Sequence, residues 1–298
     1  MTDFLQLTVQ GLALGAVYAL VALGFVVVYK ATGVINFAHG ELMLLGAYLV
    51  YALGSLLRLP FLVAVPVAMG LMAIVGLAIE RTILRRMVGR PTFSVVMITI
   101  GLAIILRQIV TAAFGFDDRL LSDPWGSSQF TLGEVRLNVV SVATVVACAV
   151  LFAAFFAFFR ASRAGVAMRA TAFDQEAALA VGIPVRHVYA WSWMIAAGTA
   201  TVAGVFLAAF PASLSPSLGF AAFRAFPAAI VGGLDSPGGA ILGGLGIGVV
   251  EVLVQGYQPQ LAPWLGVDFH VVAPYFLMIA VLMVRPYGLF GTPEVERV

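Results

Sequence analysis

Long apolar runs separated by short polar clusters account for nearly the whole chain. They cover residues Leu5 to Tyr29, Leu42 to Leu57, Phe61 to Ile79, Ser94 to Phe114, Val139 to Phe159, Val188 to Phe210, Gly219 to Leu234, Gly239 to Gly256 and Val271 to Val284. A helix crossing a bilayer needs about 20 mostly apolar residues, so this length allows about eight or nine spans with short connections. Several runs are too short or too glycine-rich to be plain spans. The pattern predicts an all-α polytopic membrane protein with 8–9 transmembrane helices, some short or broken, forming a single transmembrane domain over residues 1–298.

One polar interruption stands out. Asn36-Phe37-Ala38-His39-Gly40-Glu41 sets an amide, an imidazole, a glycine and a carboxylate between two apolar runs. Polar side chains there need an interface, a wet cavity or a partner helix, because the hydrocarbon core offers no hydrogen bonds.

Composition agrees with the pattern and removes several classes. The chain is 62% hydrophobic and 10% charged with mean hydropathy +1.07, against roughly 25% charged residues in soluble domains. No stretch is left for a soluble catalytic domain, so any energy source other than an ion gradient must come from a partner. A net charge of +2 does not suggest nucleic acid. Cys148 is the only cysteine, which excludes an intramolecular disulfide or a thiolate metal cluster. Met1 to Gln10 has no basic region or small-residue cleavage site ahead of its apolar run, so it reads as the start of a retained span. No phosphate-binding Gly-x-x-x-x-Gly-Lys-Ser/Thr loop occurs, and the scattered His39, His187 and His270 adjoin no cysteine. No cofactor is expected, and no serine or cysteine is paired with a base to suggest an enzyme.

The placement of cations predicts orientation, since Lys and Arg concentrate on the cytoplasmic side. Arg81, Arg85, Arg86 and Arg90 fall in one connection and Arg160, Arg163, Arg169 and Arg186 in another. Counting from these loops puts Lys30, Arg285 and Arg297 inside, and Asp117, Asp118, Asp123 and Glu134 outside. The N-terminus is then out and the C-terminus in. An odd number of crossings requires Gly219 to Leu234 to cross as a short or broken helix; a re-entrant segment there would reverse the C-terminus.

Glycines recur through the first spans, and Gly11 with Gly15 forms a GxxxG pair that lets helix backbones approach closely. A second glycine-bearing polar break, Gly232 to Gly239 with Asp235 within it, lies in the other half of the chain. Paired interruptions in two halves point to a translocation path between inverted structural repeats. No residue-by-residue repeat is visible, and ordinary turns between helices give the same pattern.

The longest predicted cytoplasmic connection, residues 160–187, carries Thr171 to Gly182. Thr171 with Asp174 three residues on matches a capping box, Glu176 lies near the positive end of the helix dipole, and Gly182 and Pro184 supply the stop. A helix of about ten residues is too short to be stable alone in water and needs a surface to lie against. A groove in a cytoplasmic partner, or the lipid headgroups, would serve.

Glu176-Ala177-Ala178 and Gly182 resemble the coupling loop of ABC importer permeases. The likeness continues through Gly15-Ala16-Val17-Tyr18-Ala19-Leu20, the Asn36 to Glu41 stretch, Gly46-Ala47-Tyr48, Thr99-Ile100-Gly101, Ala167-Met168-Arg169-Ala170, Val231-Gly232-Gly233, Pro237-Gly238-Gly239-Ala240 and Arg285-Pro286-Tyr287-Gly288-Leu289-Phe290-Gly291. In order and spacing these motifs resemble the H-type subunit of the branched-chain amino acid permeases. The resemblance implies an importer of the bacterial cytoplasmic (inner) membrane in which this chain pairs with a second, related permease as a heterodimer. Two cytosolic ATP-binding subunits and an extracytoplasmic substrate-binding protein complete it. At the late half-helix the family commonly has lysine, where this chain has Arg224-Ala225-Phe226-Pro227; arginine keeps the charge but changes its geometry. Relatives of this permease type are linked to urea, short amides and small organic acids, which stand beside branched-chain amino acids as substrates.

Candidates for the path or gate are Asn36, His39, Glu41, Arg224, Asp235 and Glu251; candidates for coupling are Thr171, Asp174, Glu176, Ala177, Ala178 and Gly182. Each has a plain alternative. Asn36 caps a broken helix, Glu41 suits a helix N-terminus, His39 can be satisfied by a neighbouring helix, and Arg224 can snorkel to the interface. Arg107 and Glu251 fall inside apolar runs, where ionisable groups need partners: each other, backbone carbonyls or the second permease. An ion-coupled transporter would require paired carboxylates at mid-membrane, where only Glu251 is well placed, and a membrane enzyme has no motif in its favour. The orientation puts Asn36 to Glu41 towards the cytoplasm, as a gate or hinge rather than a central substrate site.

Overall fold

A computed structural model describes residues 2–121, 123–126, 128–132, 135–209, 213–266 and 268–292; Glu134 and Arg297 of the charge argument lie outside them. The chain forms α1 (Thr2–Thr32), α2 (His39–Tyr51) continued by a π-helical turn (Ala52–Leu56), α3 (Phe61–Thr82), α4 (Thr92–Phe114), β1 (Gln129–Leu132), β2 (Val135–Asn138), α5 (Val139–Ala161), α6 (Arg163–Phe173), α7 (Gln175–Ala180), α8 (Val185–Ala209), α9 (Leu218–Arg224), α10 (Phe226–Gly232), α11 (Pro237–Leu261) and α12 (Phe269–Val284). Among the described residues, six helices are long and apolar enough to cross a membrane, α1, α3, α4, α5, α8 and α11, with shorter apolar helices over Leu218–Gly232 and Phe269–Val284.

Starts and stops follow local chemistry. Pro60 and Pro91 precede α3 and α4 in extended conformation, as expected where a ring fixes φ and removes a donor ahead of the first turn. Ser236 caps α11 by accepting from the Gly239 amide at 3.0 Å. The late apolar run is broken at Ala225, where Pro227 enters the first turn of α10 and its missing N–H cannot continue α9.

The fold is mostly helical, as expected, with one addition: β1 and β2 form a small antiparallel hairpin with Phe130 opposite Leu137 and Thr131 opposite Arg136. This segment lies outside every long apolar run, and its polar–apolar alternation suits a strand. One expectation is corrected: Thr171 does not open a helix. It lies buried within α6, and the break falls at Asp174, whose carboxylate accepts from the Ala177 amide at 2.9 Å and caps the six-residue α7. Asp174 wins because its extended backbone and short carboxylate satisfy the requirements of an N-cap directly, while Ser162 caps α6 through the Gly165 amide at 2.9 Å.

The chain divides into two compact units: Met1–Val26, Trp125–Cys148 and Ala222–Val298 form the first, Val27–Pro124 and Ala149–Ala221 the second. In the first, α1 runs antiparallel to α11 along glycines. A Cβ added to Gly248 would lie 2.3 Å from the Gly15 backbone, and one on Gly11 would lie 2.7 Å from Val249 Cα. In the second, α8 packs against α2 and α3. Gly204 lies against the Met43 carbonyl and Gly46 against Thr201 in the same manner. The apolar stretches of α1 and α8 are 89% and 83% buried while those of α3, α4 and α5 are 28%, 22% and 28% buried, so α1 and α8 are largely enclosed by the chain and the other three present apolar surface outward.

Gly246 shares α11 with Gly248 but meets nothing within 4 Å. Gly248→Val is expected to destabilise the protein by about 1–3 kcal/mol through overpacking, whereas Gly246→Ala should leave it unchanged. Thermal unfolding in detergent compares the two, and equal melting temperatures would contradict the backbone contact.

Candidate functional site

The Asn36 to Glu41 break lies in the second unit and is tightly held. Asn36 is 1% exposed, and its Oδ1 accepts from the Ala38 amide at 3.0 Å, shaping the entry into α2. Its Nδ2 is buried with no hydrogen-bond partner. His39, the first residue of α2, is fully buried. The Phe37 amide donates to Thr99 Oγ1 on α4 at 3.3 Å. Glu41 forms a buried ion pair with Arg107, also on α4. The Arg107 guanidinium stacks 3.7 Å from the centroid of the Phe220 ring, adding a cation–π attraction. Gly219 leaves room for the carboxylate, since a Cβ there would lie 2.6 Å from Glu41 Oε1. Glu41 therefore has a specific partner in addition to the helix N-terminus, and Arg107 pairs with Glu41 and not with Glu251.

Two cavities of the second unit share a wall. One of about 220 Å³ is lined by Asn36, Glu80, Thr99, Tyr189 and Trp193 among others. Trp193 Nε1, like Asn36 Nδ2, is buried without a partner. The other, of about 390 Å³, lies between α7 and the end of α3 and is lined by Gln175, Leu179, Arg186, Glu80, Arg85 and Tyr189. Gln175 Nε2 donates to the Tyr189 hydroxyl at 3.1 Å, and Arg85 forms a two-bond ion pair with the buried Glu80 at 2.7 and 3.1 Å. Glu80 and Tyr189 thus border both spaces.

On α7, Glu176 and Ala177 are exposed while Ala178 is buried, so the helix shows one face outward. Phe173, Leu179 and Val181 around it are 91%, 54% and 76% exposed, an apolar surface that water does not favour. Gly182 follows with φ +84°, and the Ile183 amide donates back to the Ala178 carbonyl at 2.9 Å. Only glycine adopts that backbone at little cost.

The remaining candidates lie in the first unit. Asp235 sits in the turn before α11 and accepts from the Thr292 amide at 3.0 Å and from its hydroxyl. The Leu289 and Phe290 amides donate to the carbonyls of Val231 and Gly232 at 2.8 and 3.2 Å. Asp235 therefore ties the segment after α12 to the break. Glu251 is 3% exposed near the middle of α11, beside Tyr18, Arg224 and His270. Arg224 ends α9 and is exposed.

A model of the family described as the branched-chain amino acid transport system / permease component matches residues 7–282. The chain belongs to this family. It is 35% identical over 309 residues to the high-affinity branched-chain amino acid transport system permease protein LivH of Escherichia coli (strain K12), covering 99% of this chain and 98% of that protein. It is 34% identical, with the same coverage, to the corresponding permease protein BraD of Pseudomonas aeruginosa. A probable branched-chain amino acid transport permease protein LivH of Methanocaldococcus jannaschii is 31% identical over 91% of this chain and 88% of that one. Among solved structures, PsaBC from Streptococcus pneumoniae in complex with Fab aligns at 18% identity and a TM-score of 0.48 over 95% of this chain and 92% of that one, too distant to bear on the fold.

In this family member the structure brings Asn36, His39 and Glu41 together, and it gathers Arg224 and Glu251 in the other unit. Tyr18 and the Glu80–Arg85 pair were not singled out in the sequence. Tyr18 is an aromatic inside an apolar run and carries no signal of its own, whereas Glu80, an acid at the end of a span beside an arginine cluster, could have been noticed. Replacing Arg107 by leucine strands a buried carboxylate and is expected to cost about 3–5 kcal/mol. Glu41→Leu should cost less, because the Arg107 side chain is 25% exposed and stacks on the Phe220 ring. The double variant should recover part of the loss, and a double-mutant cycle of unfolding in detergent that is strictly additive would rule out the pairing.

Proposed function

We propose that this chain is a permease subunit of an ATP-driven importer that moves branched-chain amino acids inward across the bacterial cytoplasmic membrane. The observation that carries the reading is the family match across residues 7–282 together with relatives named as branched-chain amino acid permeases over nearly the full length. ATP would be hydrolysed by two cytosolic subunits, beside a second, related permease and an extracytoplasmic binding protein. The two compact units together make one permease domain. The six long helices, α2 with its π-helical turn, the broken α9–α10 segment and α12 give nine crossings, with the N-terminus outside and the C-terminus inside. Asn36–Glu41 and Asp235–Gly239 are corresponding breaks of an inverted repeat, one in each unit, which is the arrangement expected of helices that line a transporter path.

Residues 160–187 form the coupling loop, with α7 as the contact for an ATP-binding subunit. The exposed Glu176–Ala177 face and the apolar Phe173, Leu179 and Val181 around it support this role, since a short helix in a groove is a recurrent docking mode. Movement of α7 bears on Tyr189 through Gln175, and Tyr189 also borders the cavity that contains Asn36. Asn36, His39 and Glu41 then act as a cytoplasmic-side gate, switched as the α7 contact shifts.

Reconstituted with its partners in proteoliposomes, the importer should take up radiolabelled leucine only with ATP and the binding protein present. Ala177→Arg places a long cation on the exposed face of α7 and should lower both co-purification of the ATP-binding subunit and uptake by about tenfold, equivalent to about 1.4 kcal/mol. Ala178 is the poorer choice, since its burial would confound docking with folding. Unchanged association and uptake in Ala177→Arg would refute the coupling role, and uptake driven by a proton or sodium gradient without ATP would refute the importer reading.

A further inference from the structure

One polar cluster of the first unit is left open. Tyr18 and Glu251 stand near the middle of α1 and α11 and are 1% and 3% exposed, while Arg224 projects from the last turn of α9 and is exposed in the single chain. The Tyr18 side chain lies beside both the Glu251 carboxylate and the Arg224 guanidinium. Among the described residues no direct ion pair joins Arg224 to Glu251. Glu251 Oε2 is buried with no hydrogen-bond partner, and so is His270 Nδ1 beside it. The Tyr275 hydroxyl donates at 2.9 Å to the carbonyl of Phe223 and so fixes the residue next to Arg224 against α12.

Glu41 and Arg107 also leave one oxygen and one nitrogen without a partner, but they form a direct ion pair, which Glu251 and Arg224 do not. An isolated carboxylate inside a span is costly, and ionisable groups at such depth face a partner or a water-filled path. Here an anion and a cation flank one tyrosine without pairing directly, and a carboxylate oxygen is unused. A site with only the cation would select anions, and one with only the anion would select cations. A site with both, spaced and unpaired, complements a solute that carries both charges on adjoining atoms. Such a solute adds no net charge to the membrane interior.

We propose that Arg224, Tyr18 and Glu251 form a membrane-embedded site for the zwitterionic head of an α-amino acid, with Arg224 taking the carboxylate, Glu251 the ammonium and Tyr18 bridging them. The assignment rests on the importer reading above and adds to it the groups that recognise the solute inside the membrane. The side chain of the solute is left to other surfaces, so the site accounts for recognition of the α-amino acid head rather than for preference among amino acids.

The test is direct binding to the assembled transporter in detergent without its binding protein, using tritiated leucine with leucinamide, which lacks the carboxylate, and isocaproate, which lacks the ammonium, as competitors. Wild type should prefer leucine to both. Arg224→Gln should weaken leucine by about tenfold or more while leaving leucinamide within about twofold, and Glu251→Gln should do the same with isocaproate spared, since each charge-assisted hydrogen bond contributes enough for a tenfold change. A merely structural role for these residues would lower all three ligands together, and that result overturns the proposal. Tyr18→Phe keeps the ring and should weaken leucine with either charge variant's selectivity unchanged. If wild type binds and transports leucine while all three variants behave as wild type, this assignment fails alone. If wild type takes up an uncharged amide but not leucine, the substrate reading fails and this assignment with it.

Discussion

Apolar side chains gain little by exchanging lipid for protein, so the helices of a membrane protein are held by close backbone approach and by polar groups that have nowhere else to go. Both constraints are visible. The α1–α11 pair is built on Gly11, Gly15, Gly244 and Gly248, and the α8–α2 pair on Gly46 and Gly204. At these points a side chain would meet backbone, which cannot yield as a flexible side chain can. The interior position of α1 and α8 follows, since a helix that others approach on several sides has little lipid-facing surface left.

Polar groups set the second level of order. The break before α2 is possible because Asn36 satisfies the Ala38 amide and Thr99 the Phe37 amide. Glu41, three residues into the break's C-terminal helix, is then anchored to α4 through Arg107. Removing regular helix from a membrane region exposes backbone donors, and each of these side chains replaces part of what is lost. The second break is held differently, by Ser236 capping α11 and by Asp235 binding the segment after α12. Similar glycine-bearing sequences thus use different chemistry, one an ion pair between helices and the other a turn tied to a terminal segment.

Much of this was legible in the sequence. Apolar run length located the six long helices, and the short late run Gly219 to Leu234 was expected to be short or broken, as α9 and α10 are. Glycine spacing marked the α1 contact face. What was hidden was pairing over long separations: Glu41 and Arg107 were both visible as polar groups in apolar surroundings, yet nothing in their spacing of 66 residues joined them. Tyr18 was hidden for another reason, because its ring is indistinguishable from a packing residue until its hydroxyl is placed beside Glu251 and Arg224. The Thr171 boundary failed because capping boxes are short patterns, and Asp174, which completed the pattern as the fourth residue, was itself the cap. Strand character in residues 129–132 and 135–138 lay in a polar loop where the run-based reading had assigned nothing.

The two ion clusters also divide labour by their degree of closure. Glu41 and Arg107 neutralise each other within the second unit, and Phe220 covers the cation. A direct pair contributes rigidity, and although Glu41 Oε2 and Arg107 Nε have no further partner, a solute binding there would first have to break the ion pair. Arg224 and Glu251 keep an interval spanned by Tyr18 and an unsatisfied carboxylate oxygen. That is less stable in the empty protein and more useful in a carrier, since a solute entering the interval satisfies a carboxylate already desolvated. Polar residues in membrane spans therefore need to be sorted by whether they pair directly with an opposite charge. The sequence locates such residues, and only their three-dimensional pairing separates a fastening from a binding site.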